Sequence, residues 1–389
     1  MRALPFDLAS PLWLARSPCY IPFMAIRPRK PRTSSARQSG APTIADVAEL
    51  AGVSAMTVSR VINAESNVRE ETRETVNAAI ASLNYAPNRA ARNLAGAGQV
   101  RMGLLFSNPS AAYLSEFLLG GLDQSSRSDI QLIVQKCEID DHERDVAERL
   151  IAGGVDGIIL PPPLCDSRSV LDLLIERNVP TVVVATGSPP PEVAAVSIDD
   201  RAAACEMTRH LLTLGHSRIG FIEGNPNLTA SAERLEGYKD ALAEAGIAFD
   251  EALVASGLFT YRSGLDAADE LLEQDDAPTA IFASNDDMAA ATVAVAHRRG
   301  LDVPGDLTVC GFDDTAIATT IWPELTTIHQ PIADMSRAAV EMLAGILRAR
   351  RNGGNDKRHM TLDYTLIRRQ SDAAPRRRPR SRARAAASD

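Results

Sequence analysis

Aromatic side chains are scarce in this sequence, at 4% of 389 residues. A large core must then be filled by Ala, Val, Leu and Ile, which suits an α/β protein. The five cysteines (Cys19, Cys137, Cys165, Cys205 and Cys310) form no CxxC pair. That pattern argues against a disulfide or zinc framework and for reduced thiols in the cytoplasm. No apolar run approaches the ~20 residues needed to span a bilayer, so no membrane partner is expected. The common catalytic signatures are missing too. There is no GxGxxG after a strand, no P-loop, no GxSxG and no HExxH, so neither an enzyme nor a cofactor is expected. His210 and His216 are six apart, the wrong spacing for one helical face, and His216 reads as satisfying a local backbone bond. Asp199–Asp200 and Asp286–Asp287 are lone acidic pairs, which read as capping or solvated rather than as a metal site.

The length is comfortable for two or three domains. The formal net charge of −9 hides a division. From Met1 to Gly96 there are twelve basic residues against seven acidic, and from Arg368 to Asp389 eight against two. The stretch between carries 21 against 41. Basic ends around an acidic middle point to an end that meets a polyanion. Residues 1–42 read as an N-terminal extension; residues 1–40 have no regular period, and proline recurs there at positions 5, 11, 18, 22, 28 and 31. Arg16 and prolines interrupt the apolar stretch Leu12–Phe23, which argues against a signal peptide. Met24 is an alternative start of translation. Arg27, Arg29, Lys30, Arg32 and Arg37 could touch phosphates, or the segment is simply a solvated, disordered basic arm.

The densest pattern lies at residues 43–94. Thr43 is a plausible N-cap, and Ile44, Val47, Ala48 and Ala51 make the apolar stripe of a short helix. Gly52 can end it in the left-handed conformation. Ser54 caps a second helix that buries Val58, Val61 and Ile62 and turns Ala55, Met56, Thr57, Ser59 and Arg60 elsewhere. Helix, tight turn and helix make a helix-turn-helix, whose second helix enters the DNA major groove. A third helix presents Thr72, Val76, Ala79, Ile80 and Leu83 on one face. Arg69 stands where that helix needs a cap. Pro87 then opens a short piece, Asn88–Leu94, too short to be stable alone. From Thr43 to Gly96 there are five basic and six acidic residues, so this stretch is not basic overall.

It resembles the DNA-binding headpiece of the lactose-repressor (LacI/GalR) family of bacterial transcriptional regulators. The matching residues are T-I-A-D-V-A-x-x-A-G-V-S-x-x-T-V-S-R-V-x-N at 43–63, V-x-x-x-T-R at 68–73 and N-Y-x-P-N-x-x-A-R-x-L at 84–94. The resemblance implies base reading by Ala55, Met56 and Arg60. Arg60 suits a guanine edge, and Ala55 can offer only van der Waals contact. Thr43, Ser54, Thr57, Ser59 and Asn63 become candidates for phosphate positioning. It also implies a hinge at 87–98 that folds on operator DNA, with Asn88, Arg89 and Arg92 near the duplex. Leu94 from each of two subunits would wedge into the minor groove.

Residues 99–369 alternate short β-branched runs with longer helical ones, which means parallel, doubly wound sheets in two lobes. The strand candidates are Arg101–Phe106, Ile130–Gln135, Gly157–Leu160, Thr181–Ala185, Arg218–Ile222, Ala280–Ala283 and Leu307–Phe312. This part resembles the same family's effector domain, which has the fold of periplasmic sugar-binding proteins. The matches include L-G-H-x-x-I-G-F-I at 214–222, E-R-x-x-G-Y at 233–238, P-T-A-I-F-A-S-N-D at 278–286, G-F-D-D-T at 311–315 and P-E-L-T-T-I-x-Q-P at 323–331. The resemblance implies one lobe of about 99–199 plus 331–356 and another of about 200–328 plus 357–369. By position it puts Arg234, Phe259, Asn285 and Asp313 on a small ligand in the interlobe cleft. Ser107, Asn108 and Tyr113 are weaker candidates from the other lobe. The alternative for Arg234 and Asp313 is an internal ion pair. Ala185 and Pro161–Pro163 make one wall stiff and apolar, which argues against a simple hexose.

The expected architecture is therefore an all-α helix-turn-helix headpiece (43–86), a hinge, and a two-lobed α/β effector domain resembling periplasmic binding proteins. Residues 370–389 read as a disordered basic tail without a leucine heptad, so a homodimer is expected rather than a tetramer. The expected function is a cytoplasmic repressor that binds operator DNA under control of a small, carbohydrate-like effector. The alternative is a solute-binding protein of a transport system.

Overall fold

The computed structural model describes residues 42–62, 68–83, 85, 99–107, 109–138, 142–351 and 359–376. It falls into two units, divided between Leu94 and Ala95. No helix among the described residues is long and apolar enough to cross a membrane.

The first unit holds α1 (Ile44–Ala51), α2 (Ala55–Ile62) and α3 (Glu70–Ser82). Local chemistry sets its boundaries. Thr43 and Asp46 form a reciprocal capping box at the start of α1. Gly52 ends that helix at φ 65°, a conformation that costs a side chain but not glycine. The Ser54 hydroxyl accepts from the Thr57 amide at 3.1 Å and so caps α2. Arg69 supplies no side-chain cap to α3, whose first turn instead carries Glu70 and Glu71. Val47, Ala48, Val58, Val61, Val76 and Ala79 close a small core between the three helices.

The second unit is built on two six-stranded sheets among the described residues. The first contains β1 (Arg101–Phe106), β2 (Gln131–Lys136), β3 (Gly157–Leu160), β4 (Thr181–Val184), β5 (Ala194–Ser197) and β11 (His359–Thr361). The second contains β6 (Ile219–Glu223), β7 (Val254–Ser256), β8 (Ala280–Ala283), β9 (Thr308–Asp313), β10 (Thr326–His329) and β12 (Thr365–Ile367). The orders are β11-β5-β4-β3-β1-β2 and β12-β10-β9-β8-β6-β7. All neighbours run parallel except β10 and β12. Strand order reverses at β1/β3 and at β6/β8, and ligands bind beyond the carboxyl ends of strands at such points.

Helices cover both faces of each sheet. The first lobe has α4 (Ala111–Arg127), α5 (Glu143–Ala152), α6 (Arg168–Glu176) and, returning late in the chain, α12 (Ile332–Arg351). The second has α7 (Asp200–Thr213), α8 (Thr229–Glu244), α9 (Tyr261–Leu272), α10 (Asp286–Arg298) and the short α11 (Ile317–Thr320). Two close approaches need glycine. A Cβ on Gly120 would collide with the Ala333 carbonyl where α4 meets α12, and one on Gly237 with the Arg201 carbonyl where α8 meets α7. Tyr238, beside Gly237, stacks on Phe221 and donates to the Ile219 carbonyl at 2.8 Å. These contacts account for the spacing of Gly237 and Tyr238 in the motif at 233–238.

Two expectations need correction. Residues 359–361 were expected in the second lobe, but β11 extends the first sheet beside β5. Only β12 joins the second. Residues 370–376, read as the start of a disordered tail, are packed on the second lobe. The Ser371 carbonyl accepts from the Val309 amide at 2.9 Å, and the Ser371 hydroxyl supports the Thr326 amide. His216 is satisfied, although not locally: its Nε2 meets the Ala373 carbonyl and its Nδ1 the Thr279 hydroxyl, both at 2.8 Å. A polar tail without an apolar period hides this docking, because the partners on the second lobe are distant in sequence.

Asp372 anchors the segment. Its buried carboxylate meets His210 Nε2 at 2.9 Å, Arg368 at 3.1 Å and the Thr326 hydroxyl. Burial alone would raise this carboxyl, but the bonds from His210 and Thr326 outweigh it and hold it at about 2. The unfolded value is ~3.9. The folded value is the lower, so the contribution is complete above the unfolded value and is lost as pH falls through about 2. Asp372→Asn should cost about 1–3 kcal/mol at neutral pH. Urea unfolding should show that deficit shrinking as the pH is taken below 4.

Candidate functional site

On the first unit, α2 buries Val58 and Val61 and exposes Ser54, Ala55, Met56 and Arg60. Met56 is 64% exposed, far more than packing would leave a large apolar side chain. Met56 and Arg60 lie four residues apart and so are neighbours on one side of the helix, with Ala55 exposed at its start. Thr57 and Ser59 are half-buried beside them. The hydroxyls of Thr43 and Thr57 also serve the local caps. Asn63, Asn88, Arg89, Arg92 and Leu94 lie outside the described residues, as does Asn108 of the effector cleft.

On the second unit, one cavity of about 320 Å³ opens where the carboxyl ends of the two sheets face each other. Its lining brings together Ser107, Tyr113, Arg234, Phe259, Asn285 and Asp313, all the described residues expected on a ligand. All but Arg234, which lies within α8, come from a strand end, a helix start or the turn before one. Ser107 follows β1, Asn285 follows β8, and Asp313 closes β9. The rim is apolar, with Pro109, Pro162, Leu228 and Leu258 beside Phe259. The expected apolar wall of Ala185, Pro162 and Pro163 is there as well.

The floor is polar and buried. Arg234 donates from Nε to Asp200 at 2.8 Å and from Nη1 to the Ser284 carbonyl at 2.5 Å. Its guanidinium lies 3.6 Å from the Phe312 ring centroid and 5.8 Å from that of Phe259. Asp313 is 3.8 Å from Arg234 and accepts from Gln330 Nε2 at 2.5 Å. The internal ion pair therefore exists, but Asp200 is its tighter acid. Asn285 is also committed structurally. Its side chain accepts from the Met288 amide at 3.0 Å, capping α10, and donates to the Phe259 carbonyl at 3.1 Å. Asn285 thus shapes the cavity by holding Phe259, which sits at φ 58°.

Burial raises the carboxyls of Asp200 and Asp313, and Arg234 offsets it only in part. Asp313 is pushed up to about 7. Burial, followed by the charge of Asp313, holds the Tyr113 hydroxyl well above the usual phenol range. The two acidic pairs are each engaged. Asp199 caps α7 through the Ala202 amide, and Asp286 accepts from Thr315 and Thr327.

Sequence reasoning missed the polar bridges between the lobes. Ser110, the N-cap of α4, donates to Asp287 at 2.5 Å. Across the cavity, Asp166 accepts from the Thr229 amide and hydroxyl, both at 2.9 Å, and from the Thr186 hydroxyl at 2.7 Å. No motif flags these residues, because each is ordinary until the lobes meet. Gln330 was findable: it is the polar residue just after a strand in the motif at 323–331.

A model for a periplasmic binding protein-like domain matches residues 208–371, and one for bacterial regulatory proteins of the lacI family matches residues 43–88. Catabolite control protein A of Priestia megaterium is 35% identical over 303 residues, 77% of this chain and 91% of that protein. The chain belongs to the lacI family of bacterial regulatory proteins. Among solved structures, the transcriptional regulator CelR in complex with cellobiose matches at TM-score 0.66 and 32% identity, covering 85% of this chain and all of that one. The lac repressor dimer bound to operator and the anti-inducer ONPF matches at TM-score 0.66 and 29% identity, over 86% of this chain and all of that one. The expected fold is thereby established: a helix-turn-helix unit and a two-lobed α/β effector unit. Family members are DNA-binding transcriptional regulators rather than enzymes, and this chain is a lacI-family regulator.

Asp313 offers a direct check on the floor's electrostatics. Its folded value lies above the unfolded ~3.9, so folding favours the protonated form and stability declines as pH rises toward 7. Asp313→Asn should remove that decline. Relative to the parent, the variant should gain stability between pH 5 and pH 8 in urea unfolding, opposite in sign to a paired surface aspartate.

Proposed function

We propose that the chain is a repressor that binds a pseudo-palindromic operator as a homodimer and responds to a small, hydroxyl-rich ligand in the interlobe cavity. The observation that carries the DNA reading is α2, whose apolar side is sealed in the headpiece core while Ala55, Met56 and Arg60 face outward. Arg60 is the base reader for a guanine edge, and Ala55 and Met56 supply apolar contact to neighbouring bases. Thr43, Ser54, Thr57 and Ser59 position the phosphates together with backbone amides at helix starts. Asn63 is a further phosphate contact. Asn88, Arg89, Arg92 and Leu94 form a hinge in which Leu94 is the minor-groove wedge.

The cavity supports the ligand half of the reading. It has an apolar rim for a ring face and a polar floor for hydroxyls, as ligand sites generally do. A relative solved with cellobiose supports a carbohydrate or a related molecule. A relative solved as a dimer on operator supports the assembly. Ligand and operator would communicate through the angle between lobes. The coupling is then reciprocal: operator binding changes ligand affinity by the same factor.

Arg60→Ala is the sharpest test of the DNA half. Competition binding against a selected operator should show a loss of about 1–3 kcal/mol in discrimination. Salt-sensitive binding to random duplex should survive. Undiminished operator preference would rule out Arg60 as the base reader.

A further inference from the structure

The cavity floor is asymmetric in charge and in hydrogen bonding. Among the described lining residues Arg234 is the single cation. It is already paired with Asp200 at 2.8 Å and faces Asp313 at 3.8 Å. Its planar face is covered by Phe312. An incoming anion would therefore find one guanidinium held by two buried acids. Displacing either acid would leave it unpaired away from water, which is strongly unfavourable.

Two lining atoms ask for the opposite kind of partner. The Tyr113 hydroxyl and Gln330 Oε1 are both buried and have no hydrogen-bond partner among the described residues. Their residues are 5% and 1% exposed. The Gln330 amide is oriented by Asp313, toward which Nε2 points, so its oxygen is the atom left over. A carbonyl oxygen can only accept. Buried polar groups cost free energy until they are bonded, so such atoms mark where a ligand's polar groups belong. Above this floor, Pro109, Pro162, Leu228, Leu258 and Phe259 offer apolar surface and no second cation.

We propose that the cavity takes an uncharged or cationic ligand that presents hydrogen-bond donors to Gln330 and Asp313 and an apolar face to the rim, and that it rejects anionic derivatives such as sugar phosphates and sugar acids. This inference rests on the reading of the chain as a regulator with a hydroxyl-rich ligand. It adds a selection by charge, which that reading alone does not supply. The Tyr113 hydroxyl serves as the third contact. Its burial keeps it protonated, so it can donate to a ligand oxygen or accept from a ligand hydroxyl.

Calorimetric titration of the full chain with cellobiose, salicin, glucosamine, glucose 6-phosphate and glucuronate tests this directly. Binding should be confined to the first three, with the two anions weaker than the best of them by at least about a hundredfold. Glucose 6-phosphate or glucuronate binding as tightly as any neutral member would overturn the charge selection and leave the regulator reading standing. No binding by any member up to millimolar concentration would instead overturn the hydroxyl-rich ligand, and the charge selection with it. Tyr113→Phe then tests the floor against the tightest binder found. Affinity should fall by about tenfold, the value of one hydrogen bond. The unliganded melting temperature should not fall, because the hydroxyl has no partner to lose among the described residues. Unchanged affinity would remove Tyr113 and the orphan-atom argument together.

Discussion

Arg234 is the side chain on which the effector unit depends most. It is 4% exposed, and it draws on four separate elements at once. Asp200 starts α7, Ser284 follows β8, Phe312 lies in β9, and Arg234 itself belongs to α8. A buried guanidinium is tolerable only when its donors are met and its charge is balanced. That condition fixes where the two helices and the two strand ends sit relative to one another. The cavity floor is a by-product of the same requirement, because Asp313 and Gln330 complete the arrangement on the open side.

The cost of this arrangement shows in the backbone. Ala185, Phe259, Asp313 and Asp314 all have positive φ, at 57°, 58°, 109° and 59°. Three of the four line the cavity. Non-glycine residues persist in such conformations only where the surroundings dictate them, and they gather at functional sites. Here the surroundings are visible. The Asn285 amide holds the Phe259 carbonyl, and the Phe259 ring lies against Gly224, where a side chain would collide with it. Ala185 and Asp313 sit at strand ends where the chain must turn over the cavity. The Asp166 and Ser110 bridges then draw the two halves together on either side.

Much of this was legible in the sequence, for identifiable reasons. The headpiece helices are delimited by Thr43, Gly52 and Ser54, and each acts within three or four residues. The central strands are short apolar runs, so candidates such as Arg101–Phe106 and Gly157–Leu160 coincide with β1 and β3. The ligand residues were reachable because strand ends carry them and the family resemblance weighted them. The strands that the candidates omit, β5, β7, β10, β11 and β12, are three or four residues long and rich in Ala, Ser and Thr. They exist because a neighbour is already there, and propensity does not carry that information. The same holds for the docked segment at 371–376 and for the interlobe bridges. Asn285 shows the converse limit. Its residue type suits a ligand contact, and only the geometry reveals that both ends of its amide already serve the protein.

The late placement of β11 and β12 has a consequence for synthesis. Each sheet takes one edge strand from residues 359–367, and α12, packed against both α4 and the first sheet, also comes late. A nascent chain emerging from the ribosome can pair β1 to β5 and β6 to β10. Until β11 and β12 arrive, β5 and β10 stand as open edges, each a template for association with another chain. Neither lobe can mature before the other, since the residues that finish the first are followed within four by those that finish the second. A product cut short before residue 359 would lack both β11 and β12 and so present β5 and β10 as its unpaired edges.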